Sequence, residues 1–147
     1  MWESVLELVD EVRQTHNALA QLVDDLHADT GVSVRLRAIL EYVSRHGPAT
    51  VPDIARARRV SRQHVQTTVN ELLALGLVAY RPNPSHRRSH LVALTDEGAD
   101  TIAEMQFVER AELRSHVTHL DPTQVVAATE TIRSLRTSLP HPRTASP

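Results

Sequence analysis

The spacing of apolar positions divides the chain into long helical stretches at its two ends and a mixed centre. In residues 3–27, Val5, Leu8, Val9, Val12, Leu19, Leu22, Val23 and Leu26 recur every three or four positions, which predicts one long amphipathic helix. His16 lies on the same stripe. Thr30-Gly31 interrupts it, Ser33 can cap a second helix, and Leu36, Ile39, Leu40 and Val43 form that helix's apolar face. His46-Gly47-Pro48 ends it. Thr50 followed by Asp53 predicts a short capped helix over 51–58, with Pro52 tolerated in its first turn. Ser61 can cap a further helix reaching Leu75 and stopped at Gly76.

From Leu77 the period shortens. Leu77–Tyr80 and His90–Leu94 read as strands, and the segment between them, Arg81 to Ser89, is a turn-rich basic hairpin loop with Pro82 and Pro84. Thr95 caps a second long helix over 95–118, with Asp96 and Glu97 suited to the positive end of its dipole. Ile102, Met105, Phe107 or Val108, and Leu113 are its expected apolar face. Leu120-Asp121-Pro122 starts a last helix lined by Val125, Val126, Ala128, Ile132, Leu135 and Leu139. Residues 140–147 read as a disordered tail.

Composition narrows the class. Of 147 residues, 41% are apolar and only 3% aromatic, so the core must be aliphatic, and four glycines favour helices over a large sheet. The chain has no cysteine, which excludes disulfides, thiolate metal sites and thiol redox sensing. No apolar run approaches ~18 residues and the N-terminus lacks a signal-peptide pattern, so a cytoplasmic protein without membrane attachment is expected. A net charge of −2 conceals a division. Residues 1–32 hold one arginine against seven acids, residues 33–90 hold ten against three, and residues 91–147 hold five against eight. A basic centre between acidic ends is the footprint of a segment that meets phosphate.

The order of elements gives that charge a shape. Short helices followed by a hairpin with a basic tip make a mainly α, winged helix-turn-helix fold. A major groove of double-stranded DNA admits one helix, which needs a second helix to hold it. In the helix starting at Arg62, Val65, Val69, Leu72 and Leu73 share one face. Gln63, His64, Thr67, Asn70 and Glu71 lie opposite, with Gln66 at the edge, a polar surface suited to base edges. Arg62 suits a phosphate, as do Arg58 and Arg59 in the preceding turn, with Ser61 at the helix start. Arg81, Arg87 and Arg88 surround the loop, and such a tip can enter a narrow minor groove. No G-x-S-x-G elbow, phosphate-cradling glycine loop or H-E-x-x-H motif points to an enzyme, and no cofactor is expected.

Residues 33 to about 98 resemble the core of the MarR family of bacterial transcription regulators. Thr50-Val-Pro-Asp-Ile-Ala is similar to that family's supporting helix. Val60-Ser-Arg-Gln-His-Val-Gln-Thr-Thr-Val-Asn-Glu-Leu resembles its recognition helix. Leu75-Gly-Leu-Val resembles the turn into the wing, and Asn83 through Gly98 resembles the wing with its Leu-Thr-x-x-Gly helix entry. The sequence departs from the pattern in two places. His86 stands where the family usually has an acid that braces the wing arginine, and Arg58-Arg59 stands where it usually has Leu-Gly.

The terminal helices carry more apolar surface than a lobe of this size can cover, and they are the acidic segments. Residues 1–32 and 95–139 are therefore expected to be dimerisation helices around a DNA-binding lobe at 33–94, with 140–147 as the tail. The resemblance implies an intertwined homodimer reading a pseudo-palindrome with half-sites ~10 bp apart. It also implies a ligand-responsive repressor with a cleft for a small lipophilic or phenolic effector. His16, Arg37, Tyr42 and Trp2 are the candidates to line that cleft. Two alternatives stay open on the residues alone: a winged-helix protein-interaction module without DNA readout, and a zinc-responsive regulator using Glu112, His116 and His119 at i, i+4 and i+7.

Overall fold

The computed structural model describes residues 1–141; of the tail expected at 140–147, only Pro140 and His141 fall within the described residues. The described chain forms α1 (Trp2–Leu26), α2 (Val34–His46), α3 (Val51–Arg58), α4 (Arg62–Ala74), β1 (Val78–Arg81), β2 (Leu91–Leu94), α5 (Asp96–His116) and α6 (Pro122–Ser138), with a short 3-10 turn at Ala28–Thr30. Each helix of the central lobe, and α5 after it, begins on a side chain that accepts one of its free N–H groups. Ser33 accepts from Leu36, Thr50 from Asp53, Ser61 from His64, and Thr95 from Gly98.

The core follows the apolar stripes. Leu36, Ile39, Leu40 and Val43 of α2 meet Ile54 of α3, Val65, Val69 and Leu72 of α4, and Ile102 and Met105 of α5. β1 and β2 pair antiparallel, with Val78 opposite Leu94 and Arg81 opposite Leu91. Ala49 adds a bridge to Val92, its N–H and carbonyl both bonded to Val92, and this ties the base of the wing to the α2–α3 connection.

Periodicity places α5's buried face slightly wrongly. The face that begins with Ile102 and Met105 continues to Glu109, which is 7% exposed, whereas Phe107 and Val108 are both exposed. A buried acid at a stripe position is invisible to a hydrophobic count. Here it is accommodated because His27, at the C-terminal end of α1, and Arg37 of α2 both reach it.

Neither α1 nor α6 has a single buried residue in the isolated chain. Trp2, Leu6 and Leu19 of α1, Phe107 of α5, and Val125, Val126 and Ile132 of α6 are exposed. Among the described residues no helix is long and apolar enough to cross a membrane.

Candidate nucleic-acid interface

Helix α4, the candidate recognition helix, is set from behind by a polar clamp that the sequence alone does not reveal. Arg35 of α2 donates to Thr68 Oγ1 at 3.0 Å and to both oxygens of Glu71, at 2.9 and 2.7 Å. Thr68 is fully buried and returns its own hydroxyl proton to the His64 carbonyl at 2.9 Å. Glu71, which periodicity sets on the outward side, is therefore turned against α2. Arg35 and Glu71 are 36 positions apart, so no local spacing announces the pair.

With its inner side held, α4 presents Arg62, Gln63, His64 and Thr67 to solvent. Gln63 and Thr67 line a groove of about 450 Å³ with Arg62, Gln66, Tyr80 and Arg88, whose other wall is the foot of the wing. On the opposite flank Ser61, His64 and Thr67 border a second depression beside Arg35 and Glu71. The wing tip is ordered by successive turns. Asn83 Oδ1 accepts from Ser85 N–H, His86 N–H reaches the Asn83 carbonyl, and Ser89 N–H reaches that of His86.

Among the described residues none of Arg58, Arg62, Arg81, Arg87 and Arg88 is held in an ion pair. All five are exposed, and their charge is free for an external anion. His86, at the position of the usual wing acid, is exposed as well. Arg59 is placed differently. It adopts a left-handed conformation at the end of α3, φ 58 and ψ 40, where glycine is at ease. Its guanidinium donates to the carbonyls of Arg136 and Leu139 at the C-terminal end of α6.

Neither of the two grooves above is lined by the effector candidates. His16 and Trp2 are exposed on α1. Arg37 is engaged by Glu109 and by Glu41, the latter at 2.7 Å. Burial works against its charge, but the hydrogen bonds and charges of the two acids outweigh that and raise its pKa. Tyr42 packs against the core and stacks on His46 with ring centroids 4.4 Å apart. Two of the three zinc candidates meet, and the third lies beyond their helix. α5 ends at His116, which pairs with Glu112 at 2.9 Å, and His119 falls in the turn beyond. Among the described residues no group of three potential ligands is placed to hold a metal.

Two carboxyls in the lobe titrate low. The Thr50 hydroxyl and Arg56 hold Asp53 below its ordinary range, and Arg35 does the same for Glu71. A depressed carboxyl contributes stability at neutral pH that is lost as pH falls through its folded-state value. Stability should therefore decline as pH drops through and below the ordinary carboxylate range of about 4. Acid titration of the chemical-denaturation midpoint checks this, with Glu71→Gln expected to flatten the decline.

The profile of the MarR family matches residues 30–89. The chain is 31% identical over 142 residues to an uncharacterized protein of Mycobacterium tuberculosis, Rv2011c, covering 95% of this chain and 96% of that one. Among solved structures it is similar to the MarR family transcription regulator SP03579. The TM-score is 0.80 at 27% identity, over 92% of this chain and 89% of that one. It shares the fold of Bordetella bronchiseptica BpsR, a structure concerned with regulation of DNA binding by 6-hydroxynicotinic acid. There the TM-score is 0.76 at 21% identity, over 88% and 93% of the two chains. A capped recognition helix, an arginine-tipped wing and these matches together make the chain a member of the MarR family of winged-helix, DNA-binding transcription regulators.

Proposed function

We propose that the protein is a homodimeric, ligand-responsive repressor that binds a pseudo-palindromic operator, one winged lobe per half-site. The observation that carries this reading is the meeting of Arg62 and Arg88 with Gln63, Gln66 and Thr67 around one groove. Unpaired cations there can take phosphates while amide and hydroxyl groups take base edges. The dimer is supported by the exposed apolar residues of α1, α5 and α6, which a second copy would cover. In this reading lobe 33–94 contacts DNA, and segments 1–32 and 95–139 join the protomers. Responsiveness to a small effector is supported by the fold shared with BpsR.

Fluorescence anisotropy on the DNA upstream of the protein's own gene, across a range of salt, tests this. The logarithm of affinity should fall linearly with the logarithm of salt, because bound arginines displace counterions. A flat response would remove DNA binding. Arg88→Ala or Arg87→Ala should weaken binding to all sequences and reduce the slope by about 1. Gln63→Ala or Thr67→Ala should relax preference at particular base pairs, by about 1–3 kcal/mol where a bidentate contact is lost.

The two arginines at the supporting turn should behave unequally. Arg58 is exposed and has no ion-pair partner among the described residues, so Arg58→Ala should lower the salt slope by about 1. Arg59 is committed to the α6 carbonyls, so Arg59→Ala should leave the slope unchanged. Equal effects from the two variants would show that Arg59 leaves α6 for phosphate when DNA binds.

A further inference from the structure

We propose that Gln66, Asn70 and Tyr80 form a preset reading unit that makes one operator position select an amino-bearing base, adenine or cytosine, on the contacted strand. The inference rests on the DNA-reading role proposed above and assigns it a chemical rule. Gln66 Nε2 carries two protons. It donates one to Asn70 Oδ1 at 2.9 Å and the other to the Tyr80 hydroxyl at 2.9 Å. Its carbonyl Oε1 has no partner among the described residues, in a groove shared with Arg62, Gln63 and Arg88.

The amide is fixed from two sides. Asn70 lies one helical turn further along α4, and Tyr80 belongs to β1 of the wing. The Tyr80 ring lies 5.8 Å from that of His90, at the foot of β2, so the ring that carries the hydroxyl has a neighbour on the second strand side of the wing. Recognition helix and wing thus meet at one side chain.

The chemical consequence follows from counting protons. An unrestrained glutamine reads adenine with both ends of its amide, donating to N7 while accepting from N6. Gln66 has spent both donors inside the protein, so only its acceptor remains. That acceptor matches the exocyclic amines of adenine and cytosine equally and opposes the carbonyl oxygens of guanine and thymine. One position in each half-site is therefore read as amino against keto, and adenine is not singled out.

Selection of the full-length protein on randomised duplexes, followed by anisotropy titrations with each base at the selected position, tests the rule. For the wild type, adenine and cytosine should bind within about threefold of each other, and guanine and thymine about tenfold more weakly. Tyr80→Phe returns a donor to Gln66, so adenine should gain on cytosine by about tenfold while the salt slope stays unchanged. Asn70→Ala, at an exposed position, should move preference the same way, so a folding defect in one variant does not decide the matter. Gln66→Ala should erase the discrimination.

Three results would overturn the proposal: wild-type preference for adenine over cytosine by the full tenfold; preference for guanine or thymine, the signature of an amide turned so that Oε1 accepts from both neighbours; or no shift in either variant. Wild-type protein that binds every duplex alike, or none, would instead remove the DNA-reading role itself.

Discussion

Replacing Gly98 with alanine is expected to destabilise the protein by about 3 kcal/mol, the upper end for forcing an extra group into packed surroundings. Helix propensity predicts the reverse sign, since alanine is favoured over glycine in a helix interior by roughly 1 kcal/mol. Packing outweighs it. A Cβ built on Gly98 would lie 1.8 Å from the Leu77 carbonyl oxygen and 2.8 Å from its carbon, and neither is the yielding end of a flexible side chain. That carbonyl also accepts from Thr95 N–H at 3.2 Å, while Thr95 Oγ1 donates to the Gly76 carbonyl at 2.7 Å. The close approach of α5 to the start of the wing strand therefore depends on the missing side chain. Urea unfolding of Gly98→Ala measures the loss. Gly31→Ala is the comparison: nothing lies within 4 Å of its Cβ, and only its φ of +71 opposes the change. A Gly98→Ala protein as stable as the wild type would mean that α5 can slide on Leu77. In that case wing position would not be fixed by this contact.

The parts of this architecture that the sequence announces are those governed by short spacing. Ser33, Thr50, Ser61 and Thr95 each stand immediately before a helix and cap it, because a cap is an interaction over three residues. The arginine-tipped hairpin is legible for the same reason, since turn residues act on their neighbours. The contacts that give the candidate interface its geometry are not local. Arg35 reaches Glu71 across 36 positions, Tyr80 reaches Gln66 across 14, and Arg37 reaches Glu109 across 72. Glu109 shows the limit clearly: a count of apolar positions passes over it in favour of Phe107 or Val108, although the acid is buried and both of those are exposed. Arg59 is a subtler case. Its charge and its place beside Arg58 both suggest phosphate, yet its backbone is left-handed at the end of α3 and its side chain turns to α6, neither of which a local pattern announces.

Glu109→Ala is the second change expected to be large, also costing about 3 kcal/mol, because removing one member of a buried pair strands the other. Glu109 accepts from Arg37 Nε at 2.6 Å and again from Arg37 Nη2, and it meets His27 Nε2 at 3.0 Å. Its side chain is 9% exposed, that of Arg37 16% and that of His27 4%, so water cannot replace what is lost. Arg37 would keep Glu41, which holds the expected cost at the lower end of the range for buried charges. Glu109→Gln keeps the shape and one acceptor oxygen and should cost less than alanine. Arg37→Ala combined with Glu109→Ala should cost less than the two single changes added together, because the second removal no longer strands a charge. Unfolding measured at several protein concentrations would separate this effect from weakened association of protomers. Additive losses in the cycle would show that Arg37 and Glu109 stabilise the fold independently. The expected coupling instead makes one carboxylate the junction at which the end of α1, the face of α2 and the middle of α5 are held together. α1 and α5 are thereby tied to α2 and, through it, to the lobe proposed to read DNA.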